Sequence, residues 1–340
     1  MHRTFRKTLI AALVLLVGVS AYAASGYHVV RKLPLAGDEG WDYLTVDSIH
    51  HRLYASRGTH VMVIDLDTDK QVGTIPDTPG VHGIALAPEL RTGFTSNGKA
   101  NTSTAFDLDS LRVIRKVNTG ENPDAILFEP AFLRVFTFNG KSNDTTIFSA
   151  VSGSVLGTVP LGGKPEFGVS DNKGKVFVNI EDKNEVVELD SGSLAITKRY
   201  PLKPCEEPTG MAIDTEHHRL FSGCHNRLMT VLDYVASKVT ATIPIGAGVD
   251  AVAYDAGTGL IFSSNGEGTL TVIRESSPGT FETETIPTQR SARTMALDSR
   301  THKIYLPAAE FGPPPAPTAD DPKPRPAIKK GTVTLLVVGK

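Results

Sequence analysis

Cysteine is nearly absent from this chain of 340 residues, which holds only Cys205 and Cys224. Two thiols cannot build a cysteine-rich zinc site, and no C-x-x-C-H run offers a haem attachment. An excess of charge of one sign is missing too. The formal net charge is −2 and no strongly basic run occurs, which removes the electrostatic footprint of a dedicated nucleic-acid binder. No window shows the three-to-four spacing of an amphipathic helix over three turns, so a helical fold is excluded. Neither a Gly-x-Ser-x-Gly elbow nor a His-Glu-x-x-His pair is present, which removes the common serine-hydrolase and zinc-protease signatures.

What is there begins with an address. Arg3, Arg6 and Lys7 precede an apolar run from Leu9 to Val19, and Ala21-Tyr22-Ala23 follows as a small-x-small cleavage site. The run is shorter than the roughly 20 residues of a spanning helix. Residues 1–23 are therefore expected to be a signal peptide, the mature chain periplasmic or secreted with no membrane span, and Cys205 and Cys224, nineteen positions apart, a disulfide.

The remainder repeats. A short apolar strand ends in an acid, a polar turn follows, and then a basic-apolar-aromatic triplet. Asp47-Ser48-Ile49-His50-His51-Arg52-Leu53-Tyr54, Asp214-Thr215-Glu216-His217-His218-Arg219-Leu220-Phe221 and Asp298-Ser299-Arg300-Thr301-His302-Lys303-Ile304-Tyr305 are nearly literal copies. The anchors Asp47, Ala87, Glu129, Asp171, Asp214, Asp255 and Asp298 are spaced by 40, 42, 42, 43, 41 and 43 positions. Each unit reads as four short β-branched and aromatic strands between Gly, Asn, Asp and Pro turns. Four strands at this period predict one all-β domain over 24–340, a seven-bladed β-propeller with four-stranded blades. The segment Tyr27–Leu35 resembles a fourth strand, so the N-terminal strand is expected to complete the last blade and remove an open edge.

The units resemble the YVTN-type β-propeller repeat family of exported prokaryotic proteins. Thr242-Ile243-Pro244-Ile245-Gly246 matches the family's closing strand, with variants at Thr74-Ile75-Pro76 and Val159-Pro160-Leu161-Gly162. The Tyr-Val-Thr-Asn tetrad is never spelled out; Tyr54-Ala55-Ser56, Phe136-Thr137-Phe138-Asn139 and Phe262-Ser263-Ser264-Asn265 take its places. The resemblance implies the fold and leaves activity open, since such propellers include surface proteins, binding modules and enzymes.

Several motifs reduce to turn chemistry. Asp65-x-Asp67-x-Asp69 lacks the Gly and distal Glu of a calcium loop, and the pairs His50-His51 and His217-His218 fall in matching hairpins as solvated turn residues. Gly246-Ala247-Gly248-Val249-Asp250-Ala251 precedes a strand where a dinucleotide fingerprint needs a helix.

One constellation emerges when the units are aligned. Five positions before each anchor stand Asp42, His82, Asp124, Glu166, Thr209, Asp250 and Arg293, one per blade. Ring closure brings them to one mouth of the channel, as a candidate ligand-binding site. Like charges gathered there need compensation. Arg293 supplies it by pairing with Asp42 or Asp250, or a divalent metal ion does so on Asp42, His82, Asp124, Glu166 and Asp250, or a polar substrate is clasped between Arg293 and the acids. Loops expected on the same face carry Arg57, His60, Asn97, Lys99, Asn139, Lys141, Glu181, Asp182, His225, Arg227, Asn265, Glu267 and Glu310. A Pro-rich insertion at 311–330 is either a rim over the mouth or a surface excursion. The expected function is monomeric capture of a small polar ligand, metal ion or protein partner at this mouth. The alternatives are a metal-assisted lactonase or lyase with His82 as base, and a scaffold using its blade edges.

Overall fold

The anchor acids show why these residues turn where they do. Asp47 Oδ1 accepts the backbone N–H groups of Ile49 at 2.9 Å and His50 at 3.0 Å. Asp214 does the same for Glu216 and His217, both at 3.1 Å, and Glu129 for Ala131 and Phe132. A side-chain oxygen that satisfies two turn amides ends one strand and aims the chain back along the next. Asp65, Asp107, Asp190 and Asp233 play the equivalent part in the hairpin from third to fourth strand, as Asp65 does for Thr68 at 2.8 Å. The calcium-like run at Asp65 is thus turn chemistry.

The computed structural model describes residues 24–318 and 324–340. The predicted signal peptide, 1–23, lies outside them. The described strands form seven four-stranded antiparallel sheets. Their innermost strands are Leu44–Asp47, Val81–Ala87, Pro123–Glu129, Pro165–Ser170, Pro208–Asp214, Val249–Asp255 and Ala296–Asp298. Each touches the next and the seventh touches the first, so the ring is closed. Helix among the described residues amounts to two 3₁₀ turns, Pro88–Leu90 and Glu181–Lys183.

Closure follows the expected route. The N-terminal strand His28–Pro34 pairs antiparallel with Thr334–Gly339, from His28 opposite Gly339 to Pro34 opposite Thr334. It becomes the outer strand of the last blade, whose inner three strands come from the C-terminal end of the chain. Tyr27, just before it, is buried edge-on against Phe262 of the sixth blade at 5.2 Å between ring centroids.

The core lies between neighbouring sheets rather than in one central mass. Tyr54, Val61, Val63 and Ile75 of the first blade pack on Val81, Ile84, Phe106 and Leu108 of the second. Fully buried rings recur at matching places, among them Phe94, Phe136, Phe177, Phe221 and Phe262. Burying one such side chain contributes about 1.5–3 kcal/mol, so blade-to-blade packing holds the ring in shape.

Candidate functional site

The ring positions sit at a repeated irregularity. Pairing of first with second strand slips between Val81 and Ile84, Pro123 and Ile126, Pro165 and Gly168, Pro208 and Met211, and Val249 and Ala251. His82, Asp124, Glu166, Thr209 and Asp250 all fall inside these bulges, while Asp42 and Arg293 lie just before the shorter first strands of their blades. A bulge inserts an unpaired residue and turns its side chain out of the sheet plane. Five blades thus aim a ring residue by the same device.

Hydroxyl and amide groups of second strands fix the bulges across blade boundaries. Ser96 donates to the Asp124 carbonyl, and Ser264 to the Arg293 carbonyl. Asn179 Nδ2 donates to the Thr209 carbonyl at 2.7 Å. Within the first blade, the Asp42 N–H donates to Ser56 Oγ at 2.9 Å. Small residues make room: a Cβ on Gly98 would stand 2.6 Å from His82 Nε2, and one on Gly210 would stand 2.7 Å from the Asp250 carbonyl oxygen.

The side chains converge by pairs. His82 Nδ1 lies 2.5 Å from Asp42 Oδ2 and 3.7 Å from Asp124 Oδ1, and donor atoms of the three groups all lie within 4.8 Å of one another. Arg293 Nε meets Asp250 Oδ2 at 3.3 Å, one of the two pairings expected for it. Glu166 is held by Lys164 Nζ at 2.6 Å, and the same ammonium bonds Glu181. Thr209 is buried beside Asp250.

Lys164 was not foreseen. It stands two residues before Glu166, where the other blades carry Gly40, Gly80, Asn122, Glu207, Gly248 and Ser291. A lone cation in that column is a signal that was available.

Below the ring the channel is closed. Tyr43 follows Asp42 and Phe167 follows Glu166, and their rings meet with centroids 5.6 Å apart. The corresponding residues in the other blades are Gly83, Ala125, Gly210, Ala251 and Thr294. Two aromatic residues from opposite sides therefore fill a space that the small ones leave.

The result is a bowl of half-buried acids, and burial shifts the titration of its walls. Burial, then repulsion from Asp42, pushes Asp124 up to about 6, against the pull of His82. Burial and the Asp124 charge push Glu166 up to about 8 although Lys164 opposes it. Asp250 is raised by burial against the pull of Arg293. Burial works against a charged His82, but its hydrogen bond to Asp42 and the charges of Asp124, Asp42 and Glu166 hold the imidazolium above its ordinary range. Tyr43 is raised well above 10 by burial and by the charges of Asp124, Asp42, Glu166 and Asp250.

Cys205 and Cys224 are joined, with 5.5 Å between Cα atoms, and hold the loop beside Glu207 and His225. His225 Nδ1 lies 2.7 Å from Glu207 Oε2, and both are within reach of Glu181.

Two expectations are corrected. Arg57, Asn97, Asn139 and Asn265 are not rim groups but fully buried. The three asparagines donate to Thr104, Thr146 and Thr271 at 2.9, 3.0 and 3.0 Å, because buried hydroxyls need partners. His51 is not solvated: it is buried between Asp67 at 2.6 Å and Asp298 at 3.2 Å. The Pro-rich insertion is anchored at its base, where Phe311 bridges Ile328. No family model matches the chain and no curated protein matches it, so the geometry alone carries the functional argument.

Proposed function

We propose that this chain is an exported binding protein of the YVTN-repeat kind, which captures a small polar ligand bearing a cationic group in the acid bowl. The observation that carries the reading is the gathering of Asp42, Asp124, Glu166 and Asp250 at one channel mouth, where burial raises the titration of Asp124 and Glu166. Asp42, Asp124, Glu166, Asp250 and Glu181 meet His82, Lys164 and Arg293 as cations, with His225 near Glu181 and Asp250. A desolvated site with surplus carboxylates gains most from an added positive charge, which is electrostatic capture of an ammonium or guanidinium group. Arg293 occupies the opposite wall and suits a polar acceptor on the same ligand.

A second reading has its own observation. The convergence of Asp42, His82 and Asp124 suits a divalent transition ion on mixed nitrogen and oxygen donors. Such an ion would compete with the His82 proton and, when bound, polarise a carbonyl, which is the lactonase or lyase alternative. Glu166 is then the proton carrier left in the bowl, in place of His82.

Thermal shift and calorimetric titration with 1,4-diaminobutane, 1,4-butanediol, Mn²⁺ and Zn²⁺ separate the readings. Saturable stabilisation by the diamine but not the diol, lost in Asp124→Asn, supports amine capture. Stabilisation by an ion alone, lost in His82→Gln, supports the metal reading. No response to any of these cations overturns both and leaves a scaffold whose ring is internally paired.

A further inference from the structure

The described limbs of the insertion after the second strand of the last blade, residues 311–318 and 324–330, are joined at their base. The Gly312 N–H donates to the Ala327 carbonyl and the Lys329 N–H to the Glu310 carbonyl, both at 2.8 Å. The Gly331 N–H ties the insertion to the Asp38 carboxylate at 2.6 Å, on the chain leading into the first blade. Beside these limbs lie two lobes, about 630 and about 660 Å³, which share Gly266, Ser291, Phe311 and Pro326.

The lobe next to the ring is faced by Trp41, Phe311, Arg293 and Arg325. Trp41 directly precedes Asp42, and its ring centroid lies 6.4 Å from that of Phe311. Phe311 keeps 38% of its surface exposed. Arg325 makes no hydrogen bond or ion pair with the described residues, and Arg293 engages Asp250 through Nε while its terminal nitrogens donate to none of them. Among the described residues, Asp38 accepts from Gly331, and Glu310 pairs with Lys329 at 3.1 Å. Guanidinium forks match carboxylates two bonds at a time, and aromatic faces add contact with a flat body. The volume is that of a small-molecule site.

We propose that this lobe is a binding subsite for an organic carboxylate with a planar aromatic or unsaturated body, its carboxylate on Arg325 and Arg293 and its body against Trp41 and Phe311. Trp41, Phe311 and Arg325 lie outside the acid bowl, and Arg293, paired with Asp250 through Nε, borders both.

Trp41 is the only tryptophan of the chain, so its emission reports on this lobe directly. The test titrates the full mature chain at neutral pH with 3-phenylpropionate, its uncharged amide and its amine counterpart 3-phenylpropylamine. The expected result is a saturable change with the carboxylate, binding about tenfold weaker for the amide, and a similar weakening in Arg325→Gln and in Phe311→Ala. Arg325 is exposed, so folding of its variant is not at issue; circular dichroism checks Phe311→Ala. No saturable change with the carboxylate, an equal response to the amide, or wild-type affinity in Arg325→Gln overturns the proposal. A response to the amine alone, lost in Asp124→Asn and kept in Arg325→Gln, assigns binding to the acid bowl and likewise overturns the subsite.

Discussion

Tyr43 of the first blade meets Phe167 of the fourth across the channel, 5.6 Å between ring centroids and tilted by 37°. This one contact turns an open tube into a bowl, because the five other blades place Gly, Ala or Thr at that level. The two half-buried rings add apolar surface beneath the acids, and burial raises the acids' cost of ionisation.

Tyr43→Ala removes half of that floor. Deleting a large ring from a packed position costs about 3–5 kcal/mol, discounted here because Tyr43 is only partly buried. Thermal unfolding should show the loss, and Tyr43→Phe should retain nearly all of the stability. Water admitted from below should also bring the titration of Glu166 down from about 8 towards the ordinary carboxyl range, as carboxyl NMR would record.

Asp124→Asn is expected to stabilise the free protein at alkaline pH. Its acid is raised to about 6 in the fold, so the native state favours the protonated form. That contribution is fully present below about pH 4 and is lost as pH rises through about 6. Removing the charge restores about 1–3 kcal/mol at pH 8, while capture of a cation fails. Urea unfolding at pH 4 and pH 8 checks this: the variant should gain at pH 8 and not at pH 4.

Replacing Cys205 and Cys224 by serine opens a loop of nineteen residues. Chain-entropy arguments put the loss at about 3 kcal/mol. The melting temperature should fall in the variant and in the wild type treated with reductant, by similar amounts, and Glu207 and His225 should lose protection in hydrogen exchange.

Removal of residues 24–35 deletes the outer strand of the last blade and the buried Tyr27. It exposes the Thr334–Gly339 edge, rich in Leu and Val, to other chains. Size-exclusion chromatography should show aggregation and calorimetry a collapsed unfolding transition; a monomer of wild-type stability would contradict the closure described.

The repeat was legible because six of the seven blades solve the same turn with an acid, as Asp47 and Asp214 do for their following amides, while the second carries Ala87 there. The ring was legible for the same reason, since a fixed offset from the turn fixes a place on the channel. Contacts between blades were not. Tyr43 and Phe167 are 124 positions apart, 167 − 43, and nothing local marks them as partners. Lys164 sits outside the aligned column, and polarity alone could not tell Asn97, which serves Thr104 inside the sheet, from Lys99 on the rim. Periodicity reports the register along a blade; side-chain burial between blades is decided by the neighbour.

The central claim is that the acids around His82 are held short of full ionisation until a cation arrives. Calorimetric titration with 1,4-diaminobutane at pH 7, repeated in buffers of different ionisation heat, counts the protons that leave. With Glu166 at about 8 and Asp124 at about 6, binding should release about one proton, and fewer in Glu166→Gln. Binding with no proton release, or no binding while the ring is intact, would contradict it.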